Sequence, residues 1–416
     1  MKKNVLLITN GCPENRIDCA KIEQFLVQNE WRITKKIGES NLIIFNACGL
    51  TEVEQENSIK IIKKLKRKKK VASKLIVCGC LPMINKERIQ EIYDGDIFGG
   101  DDTQKLANRL GIKEASNNIH ANYLIPSTTC SQSMRQRIST LPKLLSLYSI
   151  KRRLNKSKYR QFWNSVNIVQ PDTYYIKVSS GCANSCSYCA VKLSRGAVKS
   201  KSIEQIKKEF LKGLELGYKQ FALIATDSGS YGLDIQTNLV NLLREIISVE
   251  GEFWLKLRNV HPRTLIEMLP GFLDVFKSGK IVHMTTATQH GNNRVLQLMK
   301  RGYKIEDLKF AINALKNTCP NLKIRTQLMV GFPGETDSEF NDTLQLIDEI
   351  QFDFIEVYDY SPRPKTLAAK MPNQVTRRKV NKRYNILYLK VLDQLKSIAH
   401  TDYDEFKDSL MATSDA

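Results

Sequence analysis

The chain has 416 residues, 42% hydrophobic and 26% charged, an ordinary globular balance that excludes wholesale disorder and leaves room for two or three domains at ~150 residues each. Lys and Arg number 64 against 43 Asp and Glu, a net charge of +21, which favours an acidic partner, nucleic acid first and an anionic membrane second. No apolar run reaches the ~18 residues that span a bilayer, and the opening MKKNVLLITNGC is too short for a signal peptide and is predicted to be a first strand.

Strand and helix alternate through the first hundred residues. Val5–Thr9 is a strand candidate ending at Asn10, Gly11 and Cys12. A helical pattern follows to Gln28, with Ile22, Phe25 and Leu26 on one face. Leu42–Phe45 is the next strand, ending near Cys48, then a helix from about Glu54 to Lys69. Leu75–Val77 is the third, ending at Cys78, Gly79 and Cys80. This order implies a parallel sheet with helices on its faces, and such sheets bind ligands beyond the carboxyl ends of their strands. Three successive strands each deliver a cysteine there, so Cys12, Cys48 and Cys80 are expected to converge as a thiolate site. The bland alternative makes them small buried hydrophobes, the usual fate of free cysteine. Cys78 points to the other face and is expected in the core, and Cys19, Cys130 and Cys319 are taken as structural. Lys60–Lys70 carries eight basic residues and no acid, on a helix most simply a solvated face and alternatively a phosphate-tracking patch.

Residues 112–172 lose the rhythm. Between Ser131 and Pro171 there is no Asp or Glu, while nine Lys and Arg, among them Arg152, Arg153, Lys156 and Lys158, interleave with Tyr148, Tyr159, Phe162 and Trp163. The mixture suits a single-stranded nucleic acid whose bases stack on aromatics. It equally suits an amphipathic helical linker with its charges in water.

From Tyr174 the alternation resumes. Strand candidates are Tyr174–Val178, Phe221–Ile224, Phe253–Leu257, Val282–Thr286, Ile324–Val330 and Phe354–Val357, with helical patterns between them that include Ile203–Leu216 and Thr336–Ile350. Six such strands fit a partial (β/α) barrel with its chemistry at the strand carboxyl ends. Directly after the first lies Gly181-Cys182-Ala-Asn-Ser-Cys186-Ser-Tyr188-Cys189. A C-x₃-C-x₂-C loop can wrap three thiolates around three corners of an iron–sulfur cubane, which normally takes four, and so leave one iron open. Cys186 and Cys189 alone could be a redox pair, and the three could bind zinc with a fourth ligand. No nearby His completes a zinc set, and the third cysteine is surplus to a redox pair.

At this point the sequence resembles the radical S-adenosylmethionine superfamily, specifically its methylthiotransferase family, over roughly residues 1 to 385. The resemblance rests on Thr9-Asn-Gly-Cys12-Pro-Glu-Asn15-Arg-Ile-Asp18, Asn46-Ala-Cys48, Cys78-Gly-Cys80, the Cys182–Cys189 loop with Arg195-Gly196, Tyr231-Gly-Leu-Asp234, Gln289-His-Gly291, Met299-Lys-Arg301, Gly331-Phe-Pro-Gly-Glu-Thr336 and Tyr360-Ser-Pro-Arg-Pro-Lys-Thr366. It implies an α/β fold. A methylthiotransferase domain at 1–111 comes first, then a basic linker at 112–172, a radical-SAM partial (β/α)6 barrel at 173–370, and a C-terminal helix and tail at 371–416. It implies a [4Fe–4S] cluster on Cys182, Cys186 and Cys189 whose open iron chelates S-adenosylmethionine, and an auxiliary [4Fe–4S] cluster on Cys12, Cys48 and Cys80. Tyr188, Asp227, Gln289 and Gly331, with the rest of Met329–Pro333, would then contact S-adenosylmethionine.

The implied reaction reduces S-adenosylmethionine to a 5′-deoxyadenosyl radical, which takes hydrogen from an unactivated C–H. The auxiliary cluster supplies sulfur and a second S-adenosylmethionine the methyl group. The first expected substrate is an N6-modified adenosine at position 37 of tRNA, methylthiolated at C2. The second is a peptide or protein side chain. A third reading is a non-catalytic cluster-bearing RNA-binding or sensor protein. A low-potential electron donor such as flavodoxin or ferredoxin, a sulfur donor system, a cytoplasmic location and no membrane are expected alongside. Arg152, Arg153, Lys156 and Lys158 are candidate substrate contacts.

The chain also departs from the family. Only 45 residues follow Met371, too few for the usual C-terminal RNA- or protein-binding β-barrel of five strands averaging ~5 residues each, so that barrel is expected to be absent. Lys199, Lys201, Gln327 and His290 replace the arginines, aspartate and serine usual at those positions.

Overall fold

The computed structural model describes residues 3–100, 103–112, 121–127, 172–391 and 393–394. The basic stretch with Arg152, Arg153, Lys156 and Lys158 lies outside the described residues. The chain divides into two compact units. The first holds the described residues up to Asn259 together with Ser361–Lys370, and the second holds Val260–Tyr360 and the described residues from Met371 onward.

In the first unit, strands β1 (Asn4–Thr9), β2 (Arg32–Ile33), β3 (Leu42–Ala47), β4 (Lys74–Gly79) and β5 (Asp96–Ile97) form a parallel sheet in the order β2-β1-β3-β4-β5. Helix α1 (Pro13–Gln28) and helix α2 (Glu52–Lys68) cover its two faces. Alternation along the strands sorts the side chains. Ile43, Phe45, Leu75 and Val77 pack with Ile59, Ile62 and Leu65 of α2. Leu42, Ile44, Ile76 and Cys78 pack with Ile22, Phe25 and Leu26 of α1. Cys78 is therefore core, as its phase predicts. Every residue of β3 is buried, as expected of a strand covered on both faces.

Helix α2 begins with Thr51 accepting from the Glu54 N–H, has Glu52 and Glu54 in its first turn, and ends with Lys66, Arg67 and Lys68, matching charge to the helix dipole at both ends. Its basic run is mostly exposed, which fits a solvated face and a phosphate-tracking patch alike.

The first unit also contains β6 (Thr173–Lys177), a small antiparallel pair β7 (Ser179–Ser180) and β8 (Lys199–Ser200), β9 (Gln220–Ile224) and β10 (Trp254–Leu257). Strands β6, β9 and β10 run parallel, with Tyr175 and Lys256 both registered on Ala222. Phe210 of the helix Ile203–Glu215 packs on Phe221 and Phe253 behind them. On the other face Tyr175, Ala222 and Ile224 meet Ile17 of α1. The segment Ser361–Lys370 rejoins this unit as a strap. Its Ser361 Oγ accepts from the Glu52 N–H at 2.9 Å, Arg363 Nη2 donates to Gln55 Oε1 at 2.8 Å, and the Ala368 N–H donates to the Ser187 carbonyl at 2.8 Å.

The second unit repeats the strand–helix pattern with β11 (Ile281–Thr285), β12 (Lys323–Val330) and β13 (Phe354–Asp359), all parallel. Helices Ile305–Thr318 and Asp337–Glu349 follow β11 and β12 in sequence, the second opened by a Thr336–Glu339 capping box. Residues 377–391 are helical. Six parallel strands, three in each unit, thus follow the N-terminal sheet. Their bounds differ from the sequence-based ones by a residue or two, because hydrophobic patterning marks the buried stretch rather than the last ladder bond. Among the described residues no helix is long and apolar enough to cross a membrane.

Candidate functional site

Three strand ends build the first cluster of thiols. Ala47 at the end of β3 is registered on Gly79 at the end of β4, so the next residues, Cys48 and Cys80, emerge side by side. Thr9 of β1 is registered on Asn46, and the short Asn10-Gly11 turn brings Cys12 to the N-cap of α1, where its side chain caps nothing. The three thiols act on one another electrostatically. Burial pushes Cys12 up, with Glu14 adding to it, and burial pushes Cys48 well up, with Cys80 and Cys12 adding. A polar triangle fixes Cys48. The Cys48 N–H donates to Asn10 Oδ1 at 2.9 Å, Asn10 Nδ2 donates to Ser58 Oγ at 2.8 Å, and Ser58 Oγ donates to the Cys48 carbonyl at 2.7 Å.

The second set lies on the loop after β7. Gly181 has φ +80°, and a Cβ there would stand 1.9 Å from the Ala197 carbonyl oxygen, so only glycine opens this loop. Its N–H donates to Thr226 Oγ1 at 3.1 Å. Asp227 accepts from Asn184 Nδ2 at 2.7 Å, Ser230 Oγ at 2.6 Å and the Gly229 N–H at 3.0 Å, and lies 3.7 Å from Cys182 Sγ. Asp227 therefore ties the loop together. Burial raises Cys182, with Asp227 adding to it, and burial raises Cys189 to about 11, with Cys186 adding.

A buried ionic network joins the two cysteine sets. Arg195, six residues past Cys189, places Nη1 2.5 Å from Asp18 Oδ2 and Nε 3.7 Å from Glu14 Oε1, and Nη2 donates to Asn15 Oδ1. Lys177 Nζ lies 2.5 Å from Asp18 Oδ1, and Thr226 Oγ1 donates to Glu14 at 2.8 Å. Burial opposes the charge on Arg195, but Asp18 and Glu14, with Cys80 and Cys12, outweigh it and hold its pKa well above the usual value. Cys80 Sγ lies 3.3 Å from Asn15 Oδ1.

Both sets fit iron–sulfur clusters by the chemistry of their donors. Each offers three thiols from one end of a parallel sheet. At the first set, Asn15 Nδ2 and Asn46 Oδ1 are buried polar atoms without a protein partner. Among the described residues no three His, Cys, Asp or Glu are spaced to hold a single metal ion. A cluster instead takes its thiolates at separate corners.

Comparison with known proteins agrees with this geometry. Residues 176–347 match the Radical SAM superfamily, and residues 4–100 match Uncharacterized protein family UPF0004. A probable threonylcarbamoyladenosine tRNA methylthiotransferase of Pyrococcus horikoshii is 31% identical over 363 residues, covering 86% of this chain and 77% of that protein. The chain belongs to the radical S-adenosylmethionine methylthiotransferase family. The ribosomal protein uS12 methylthiotransferase RimO of Protochlamydia amoebophila is 29% identical over 388 residues, covering 91% of this chain and 74% of that protein. The radical S-adenosylmethionine methyltransferase TsrM of Kitasatospora setae, solved with cobalamin and a [4Fe–4S] cluster, shares the fold at TM-score 0.57 and 15% identity, covering 88% of this chain and 77% of that one.

The methylthiotransferase is thus an α/β enzyme with a parallel N-terminal sheet and a partial radical-SAM barrel, in a family that uses S-adenosylmethionine and [4Fe–4S] clusters. Tyr188 sits partly buried on the loop between Cys186 and Cys189. Gln289 and Gly331 lie in the second unit. Gln289 is buried with φ +74°, a conformation rare outside glycine, and its backbone joins β12 through Gln327 and Met329 at 2.7 Å each. Gly331, φ +78°, follows β12, and its N–H donates to the Glu335 carboxylate, which Arg383 holds at 2.9 Å.

Of the departures from the family pattern, Lys201 pairs with Glu209 at 2.6 Å, Gln327 donates to Glu356 at 2.8 Å, and buried His290 meets Glu335 at 3.2 Å. Two residues that patterning missed stand on the Ala222 face of β10 and just past its end. Lys256 is 5% exposed, and burial lowers it to about 8. Arg258 acts on Cys12, lowering it against burial. Isolated basic residues at a strand end carry no spacing signal, so sequence patterning could not single them out.

Proposed function

We propose that this methylthiotransferase acts on tRNA, replacing the C2–H of an N6-modified adenosine at position 37 by C–S–CH₃. The observation that carries the reading is the net charge of +21, which suits a polyanionic substrate. The tRNA methylthiotransferase relative adds to it. Cys182, Cys186 and Cys189 hold the cluster that binds S-adenosylmethionine in this proposal, and Cys12, Cys48 and Cys80 hold the auxiliary one. Bound there, the clusters and S-adenosylmethionine supply the radical, the sulfur and the methyl group.

The chain's own residues do the positioning. Asp227, Asn184 and Ser230 shape the loop that carries Cys182. Asn10 and Ser58 clamp the backbone of Cys48. Arg195, Asp18 and Glu14 fix the start of α1 and exclude water there, their side chains being 1–8% exposed. Tyr188, Asp227, Gln289 and Gly331 are the proposed contacts to S-adenosylmethionine, and Arg152, Arg153, Lys156 and Lys158 to tRNA. A flavodoxin or ferredoxin and a sulfur donor complete the reaction in the cytoplasm.

Mass spectrometry of tRNA nucleosides from cells with and without the gene tests the substrate. Loss of one 2-methylthioadenosine derivative is expected. The likeness to RimO of Protochlamydia amoebophila favours a second reading, a ribosomal-protein side chain. Unchanged nucleosides together with a ribosomal protein lighter by one methylthio group would replace the first reading by this one.

A further inference from the structure

Asn15 lies in the first turn of α1, three residues past Cys12, and is 1% exposed. Only one end of its amide is used. Oδ1 accepts from Arg195 Nη2 and lies 3.3 Å from Cys80 Sγ, whereas Nδ2 has no acceptor. The orientation is set by chemistry, because a guanidinium carries donors only and the amide must turn its oxygen toward it. The amide also has no room to move aside. Gly11 packs against it so closely that a Cβ there would come within 2.5 Å of Nδ2. A buried N–H donor therefore faces the turn that leads into Cys12, on an amide whose oxygen lies beside the Cys80 thiol, and nothing in the protein accepts its hydrogen.

We propose that the Asn15 amide donates a hydrogen bond to a sulfur of the group held by Cys12, Cys48 and Cys80, and that Arg195 is the positioning residue that keeps the amide turned that way. The proposal rests on the reading that these three cysteines hold an iron–sulfur cluster. A hydrogen bond to a cluster sulfur stabilises the more negative, reduced form, so Asn15 raises the reduction potential of this cluster. Arg195 reaches the same site through Asn15 and through its own charge, and it is joined to the other cysteine loop through Glu14 and Thr226.

The test uses the full chain carrying Cys182→Ala, Cys186→Ala and Cys189→Ala, reconstituted with iron and sulfide, so that one cluster is left. Its midpoint potential is read by an EPR-monitored redox titration, and exchangeable protons near the cluster by ENDOR in water and deuterium oxide. Asn15→Asp keeps the shape and the Arg195 contact and removes the donor. Asn15→Ala removes it without adding charge. Both are expected to lower the potential and to erase one exchangeable-proton coupling. Arg195→Lys keeps the charge but not the planar fork, and is expected to weaken that coupling. Potential and coupling unchanged in both Asn15 variants would overturn the proposal, and an unchanged coupling in Arg195→Lys would overturn the positioning role. Absence of iron from the background chain itself would instead sink the cluster reading, and the proposal with it, an outcome read directly from the iron content.

Discussion

Asp18 is the carboxylate on which the two halves of the first unit's polar network turn, and removing it has a calculable cost. Its side chain is 1% exposed and faces two cations, Arg195 at 4% and Lys177 at 16% exposure, each at 2.5 Å. Asp18→Ala leaves both without their shared partner. Breaking a buried pair by removing one member costs ~3–5 kcal/mol. Arg195 retains Asn15 and, at 3.7 Å, Glu14, and Lys177 lies nearer water, so the expected loss is at the lower end, ~3 kcal/mol. That lowers the folded-to-unfolded ratio by roughly a hundredfold. Urea unfolding of the full apo chain, followed by circular dichroism, measures it. Replacing the triad together, Asp18→Leu with Lys177→Met and Arg195→Met, is expected to recover part of the loss, because neither cation is then stranded and only Glu14 loses its ion partner, keeping the Thr226 hydroxyl. A cost for Asp18→Ala below ~1 kcal/mol, the value of exposed pairs, would refute the argument and mean that water reaches these charges.

Gly181→Ala puts a methyl group against the Ala197 carbonyl and is expected to remove one cluster's worth of iron from reconstituted protein, while Gly196→Ala, strained at φ +69° but meeting no atom within 4 Å, retains more. Phe25→Ala empties a fully buried site between α1 and the sheet and is expected to cost ~3–5 kcal/mol in the same urea assay. Glu339 is held at about 2 by its hydrogen bond to Arg294, so it stabilises the fold above its unfolded value of 4.5 and loses that contribution as pH falls toward 2. Glu339→Gln should therefore be less stable than the parent at neutral pH, with the difference shrinking between pH 4.5 and pH 2. A constant difference across that range would assign the effect to the Thr336 cap instead.

What could be read from sequence alone followed the range of the interactions. The convergence of Cys12, Cys48 and Cys80 was legible because each follows a strand of similar length, and register then aligns strand ends. Cys78 was legible as core from alternation alone. The partners of these cysteines were not. Asn10 and Ser58 are 48 positions apart, Lys177 and Asp18 are 159 apart, and Arg195 and Asp18 are 177 apart. No local pattern encodes such pairs, since either residue alone reads as a turn or a surface charge. Asp227 shows the same limit. Its place at a strand end was legible, but its bond to Asn184, 43 positions earlier, was not.

The strap Ser361–Lys370 has a consequence for biosynthesis. It hydrogen-bonds the start of α2, just past Cys48, and Ser187, between Cys186 and Cys189. All six site cysteines therefore leave the ribosome well before the segment that ties these two places together. At ~5–20 residues per second, the interval between Cys189 and Ala368 is roughly ten to forty seconds. A nascent chain spends that time with both thiol sets made and the strap still unmade. Metal delivered in this window meets the thiols before the strap has made its hydrogen bonds to Glu52, Gln55 and Ser187.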